Sequence, residues 1–72
     1  MKKTFETKFG EISLKNVMID TDGTNLADGI EIRLEGVLIG ETTDIKFHFD
    51  DEDVDIKDVE AFVEKHCDPR DF

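Results

Sequence analysis

A single cysteine, Cys67, leaves this chain of 72 residues without an internal disulfide. A chain of this size has room for one domain and one small core, and many such chains need a staple. The lack of bridges fits a reducing compartment. No apolar run approaches the roughly 20 residues that span a bilayer as a helix. Met1-Lys2-Lys3 opens like a signal peptide, but Glu6 and Lys8 interrupt what would be its apolar region. The expectation is one small acidic domain over residues 1–72, located in the cytoplasm of a bacterium, or of the host cell if phage-encoded.

Cations are scarce as well. Nine Lys and Arg stand against nineteen Asp and Glu, a net charge of −10. Phosphate contacts need positive surface, so direct binding to nucleic acid is disfavoured, and anionic membranes are disfavoured for the same reason. Charge of this size also favours disorder. Against that stand bulky apolar residues set at regular spacings.

Those spacings alternate over most of the chain. In Lys3–Phe9, residues Phe5, Thr7 and Phe9 share a face, and Ile12 to Lys15 continue the pattern after Gly10. Ile30, Ile32 and Leu34 alternate with Glu31, Arg33 and Glu35, and Ile45, Phe47 and Phe49 alternate with Asp44, Lys46, His48 and Asp50. Period two predicts four half-buried strands. Gly10-Glu11 and Gly40-Glu41 read as two-residue hairpin loops with glycine first, and Thr21–Gly29 as a longer turn with two Asp-Gly pairs. Short connections of this kind make an antiparallel meander.

The period changes once. Val59, Phe62, Val63 and His66 fall on one helical face, which predicts a helix over Ile56–Cys67. Asp55 is its expected cap, with Asp58 three residues on and Val54 and Val59 at the staple positions. Pro69, the only proline, follows the helix end, and 68–72 reads as a loose tail. The fold class is therefore α+β: a curled four-stranded antiparallel meander packed by one C-terminal helix, ββββα. The expected core is Phe5, Phe9, Ile12, Leu14, Ile32, Leu34, Ile45, Phe47, Phe49, Val59, Phe62 and Val63.

One strand sequence is written twice, as EISLKNVMID at 11–20 and EIRLEGVLIG at 31–40. In both copies the alternation breaks after the leucine, at Asn16 and at Gly36. Two arrangements account for this. Either both strands bulge there and Val17, Ile19, Val37 and Ile39 enter the core, or both run straight. Straight strands would pair Leu34 with Phe47 and Ile32 with Phe49. They would also leave Val17, Ile19, Val37 and Ile39 on the sheet back, as candidate contacts of a homodimer.

Two acidic stretches are candidate sites. From Asp20 to Glu31, oxygen-bearing side chains at Asp20, Asp22, Thr24, Asp28 and Glu31 fall at the calcium-ligand positions of a twelve-residue loop. The glycine required at the sixth position is Asn25, however, and the flanks read as strands. The competing account is an Asp-rich turn whose side chains bond local backbone. The second stretch holds Asp50, Asp51, Glu52, Asp53, Asp55, Asp58 and Glu60. It serves either as a solvated face with helix capping, or as a surface that imitates phosphate spacing and occupies a basic groove of a nucleic-acid-binding protein.

Catalytic patterns are wanting. Cys67 has no second cysteine to form a zinc pair, His66 and Cys67 do not face each other on a helix, and His48 is expected on the outer face of a strand. The sequence thus points to a non-catalytic binding domain without cofactor, whose partner is a basic protein surface. A homo-oligomeric accessory module and a calcium-binding module are the alternatives.

Overall fold

The computed structural model describes residues 1–68 and Arg70. Four strands, β1 (Lys2–Thr7), β2 (Gly10–Asp20), β3 (Leu26–Leu34) and β4 (Val37–Thr42), form one open antiparallel sheet in chain order. Helix α1 (Ile56–His66) touches both edge strands and so lies across one face of the sheet. The ββββα class is as the periodicity predicts. Of the tail expected at 68–72, Asp68 and Arg70 are described and pair with each other at 2.7 Å; the rest lies outside the described residues. Among the described residues no helix is long and apolar enough to cross a membrane.

Side chains alternate between the two faces of the strands, and register decides which meet. Phe5 pairs with Ile12, Ile12 with Leu34, Leu14 with Ile32 and Asn16 with Ile30. Phe5, Ile12, Leu14, Ile30 and Ile32 are buried on that front face beneath Val59, Phe62 and Val63 of the helix. Full burial of such a side chain contributes about 1.5–3 kcal/mol. Phe9 and Leu34 are only partly buried against this core. Ile30 and Cys67, absent from the expected core, belong to it.

The helix starts as its sequence dictates. The Asp55 carboxylate accepts a hydrogen bond from the Lys57 backbone N–H at 2.9 Å, and Val54 packs against the core. At the other end the helix stops one residue earlier than expected, with Cys67 as its cap.

The fourth strand is not where alternation put it. β4 is Val37–Thr42, and residues 45–50 form turns and irregular chain. The hairpin turn before β4 is Glu35-Gly36, with φ of +49° and +84°. Two positive φ values make the primed turn that matches strand twist. Glu35 is an unusual residue to hold this conformation, and Glu11 anchors it: the Glu35 N–H donates to the Glu11 carbonyl at 2.8 Å, and the Glu11 N–H donates to Glu35 Oε1 at 3.2 Å. Glycine-first loops at 10–11 and 40–41 are thus corrected. The first turn is Lys8-Phe9, with Gly10 already paired to Thr7, and Gly40-Glu41 lies within β4.

The repeated decapeptide takes two different structures. Its first copy is a single strand whose pairing with β3 is unbroken from Ile12 to Asp20, so Asn16 marks no bulge. Its second copy folds back on itself as a hairpin, with Gly36 in the turn. The register shift occurs instead in β4, where Ile39 is the extra residue between Leu38 and Gly40. Ile32 pairs with Gly40 and Leu34 with Val37, not with Phe49 and Phe47.

Residues 43–54 leave the edge of β4 and cross the front face to β1, where Lys3 Nζ donates to the Asp51 carbonyl at 3.3 Å. Phe49 is buried, Phe47 stacks on Phe62 with centroids 4.7 Å apart, and Ile45 is 46% exposed. Ile45 is therefore no core residue. Three alternating apolar residues describe a segment lying over a core as well as they describe a strand.

Candidate functional site

The acidic stretch is built on the end of this crossing segment and the first turn of α1. Its seven carboxylates do not form one surface. Asp55 is committed to the helix cap. Glu60 is half-buried, and its Oε2 accepts from the Lys8 backbone N–H at 2.7 Å, which ties the helix to the β1–β2 turn. Lys8 also pairs with Glu64 at 3.0 Å; that hydrogen bond, with the Glu64 charge, raises the Lys8 pKa. Asp51, Asp53 and Asp58 line one shallow depression with Lys46 and His48, and Asp50 lines a larger groove beside it. Among the described residues, the carboxylates of Asp50, Asp51, Glu52, Asp53 and Asp58 have neither a hydrogen-bond nor an ion-pair partner, and all five residues are exposed.

The Asp20–Glu31 stretch divides between a turn and a strand. The turn covers residues 21–25, shorter than its sequence suggests, because β3 begins at Leu26. Asp20 Oδ1 accepts from the Gly23 N–H at 2.6 Å, and Asp22 accepts from the Thr24 and Asn25 N–H groups and from the Asn25 side-chain amide. Thr24 donates its hydroxyl to Asp22. Asp28 sits opposite Met18 on the front face, and Glu31 pairs with Arg33 on the back. Among the described residues no group of three or more His, Cys, Asp or Glu is arranged to hold a metal ion.

The Asn25 amide, helped by the Thr24 and Asn25 N–H groups, lowers the Asp22 pKa from the ordinary 3.8 to about 2. A depressed carboxyl contributes stability that is complete above its unfolded value and is lost as pH falls through the folded one. The turn should therefore loosen between pH 3.8 and about 2. Carboxyl-detected NMR titration should find the Asp22 midpoint near the lower value. Asn25→Ala should move it up towards the ordinary one; no movement would assign the shift to another cause.

Val17 and Ile19 project from the back of β2, half-buried, with Ile19 lying over Gly29. Val37 is 65% exposed beside the turn, and Ile39 packs against the core. The four candidate dimer contacts thus do not form one patch: Val17 and Ile19 share the back of β2, whereas Val37 and Ile39 lie on β4, with Ile39 turned to the core. Val37→Asp should shift the urea midpoint by less than about 0.5 kcal/mol equivalent, as exposed positions usually do. It should also leave the sedimentation coefficient unchanged. Unfolding or dissociation of an oligomer on this substitution would contradict that placement.

The histidines are dissimilar. His48 is exposed on the crossing segment, whereas His66 sits edge-on to Phe62 with its Nε2 buried and 3.7 Å from Asp44 Oδ2. The Lys46 N–H, with the charges of Lys65 and His66, lowers the Asp44 pKa against the opposing effect of desolvation.

Register assembles two features that no single stretch of sequence displays. On the sheet back, Lys2, Lys15 and Arg33 surround Ser13 in a depression of about 170 Å³, with Glu31 beside Arg33. On the front, a groove of about 610 Å³ runs between the far ends of β2 and β3 and the crossing segment. Compared with known proteins, the chain matches no family model, no curated protein and no solved structure.

Proposed function

We propose that this protein is a non-catalytic binding domain whose acidic segment engages a basic surface of another protein. In its sharpest form it occupies the groove with which that partner holds nucleic acid. The observation that supports this is the set of exposed, unpartnered carboxylates at Asp50, Asp51, Glu52, Asp53 and Asp58 on a chain of net charge −10. Carboxylates already engaged in folding have less to offer a partner. Four of them lie at the end of the crossing segment, anchored by Lys3 at Asp51 and by the helix cap at Asp55, and Asp58 lies on the first turn of α1. Complementary charge mainly speeds encounter and selects partners.

The test begins with affinity capture from the native host. Affinity for the captured partner should fall steeply with salt, because screening confines charge attraction to about 8 Å at physiological strength. Converting Asp50, Asp51, Glu52 and Asp53 to Asn or Gln should slow association more than it speeds dissociation, and nucleic acid should compete for the partner. Fold stability should hold or rise, since self-repulsion is relieved. Asp55 stays unchanged so that binding is not confused with folding. A partner that binds the neutralised variant equally well, without salt dependence, would end the proposal.

A further inference from the structure

The front groove exists because the strands are unequal. β1 reaches only to the Lys2–Lys15 pair, and β4 only to the Ile30–Thr42 pair. Residues 17–20 and 26–29 therefore project as a two-stranded ribbon beyond the sheet. On the ribbon's front face Met18 is 57% and Leu26 64% exposed, with Asp28 opposite Met18. The crossing segment forms the opposite wall with Ile45, Phe47, Phe49 and Asp50. An exposed methionine and isoleucine around a concavity of about 610 Å³, rimmed by carboxylates, mark a binding surface rather than scattered apolar exposure.

Charge decides the occupant. A second copy would bring another −10 and set its own Asp28 and Asp50 against these, which opposes self-association. Anionic lipid is repelled in the same way. A segment carrying both cations and large apolar side chains satisfies the floor and the rim together, and methionine adapts readily to such side chains. We infer that this groove receives a cationic amphipathic segment of a partner protein. The apolar side chains of that segment lie against Met18, Ile45 and Phe47, and its cations reach Asp28 and Asp50. This deepens the proposed function, on which it rests, by giving the acidic surface an apolar anchor.

The test uses three synthetic peptides titrated into the ¹⁵N-labelled protein. One carries Lys and Leu with the leucines at helical spacing, one has the same composition scrambled, and one is oligolysine of equal charge. The patterned peptide should bind tightest and shift the resonances of Met18, Asp28 and residues 45–50. Met18→Ser and Ile45→Ser should each weaken it about tenfold, or 1.4 kcal/mol, and leave oligolysine binding unchanged. Neither position is buried, and dispersed spectra of the variants will show that they fold. Equal binding of all three peptides, or indifference to both substitutions, would overturn the inference. So would a wild-type dimer that Met18→Ser dissociates, which would assign the groove to a second copy. The proposed function fails separately, if neutralising Asp51, Glu52 and Asp53 outside the groove leaves the captured partner's affinity and salt dependence untouched.

Discussion

Replacing Phe49 with alanine is expected to cost about 3–5 kcal/mol, the usual loss for a fully buried aromatic ring. Phe49 is 2% exposed and lies in the core beneath the crossing segment. No secondary structure holds that segment, and Phe49 is its one fully buried side chain. Small domains are stable by about 5–15 kcal/mol, so the variant should fall close to its unfolding limit. Phe47→Ala should cost less. Phe47 is half-buried, and beyond its burial it loses a stacked contact with Phe62 worth about 0.5–1.5 kcal/mol. Ile45→Ala should cost least, because Ile45 is 46% exposed. Urea denaturation of the three variants gives the order directly. If 45–49 were an inward-facing strand, all three losses would be comparable.

Gly40→Ala is the second substitution with a large expected effect. Gly40 has no positive φ, so its backbone would accept alanine. Space would not. A Cβ there would stand 2.7 Å from Cys67 Sγ and 3.0 Å from the His66 carbonyl oxygen. The helix end rests directly on β4 at this point, and neither obstacle is the tip of a long, flexible side chain. The C-terminal turn of α1 must lift, at a cost of about 1–3 kcal/mol typical of overpacking. Cys67→Ala removes the nearer obstacle. The double variant should therefore recover part of the loss, with a coupling of about 0.5–3 kcal/mol between the two positions. Strictly additive losses in denaturant would show that the helix end and Gly40 do not meet.

Neither effect is legible from local sequence. Gly40 reads as a turn residue because glycine before glutamate suits a hairpin loop. The actual turn uses Glu35-Gly36, with its glutamate held at positive φ by two reciprocal hydrogen bonds with Glu11, a residue 24 positions away. Moving that turn takes Val37–Thr42 into the sheet and releases 45–50 from it. The alternation of Ile45, Phe47 and Phe49 then serves a segment that crosses the core with one ring fully buried, one stacked and one side chain near solvent. Period two in five residues cannot distinguish these cases, since both place every second side chain inward.

What the sequence determined by itself is the part governed by local physics. The single change from period two to period 3.6 set a meander followed by one helix. The Asp55 cap and the Val59, Phe62, Val63 face set where that helix begins and which side it buries. Composition set the charge and left five acidic side chains of the 50–58 stretch in solvent. Tertiary structure alone decided the register, because pairing energies belong to residues on different strands. That register turned one copy of a repeated decapeptide into a strand and the other into a hairpin. It also left β2 and β3 longer than their neighbours, opening the groove among Met18, Asp28, Ile45 and Asp50, residues that share a surface only because the chain has folded.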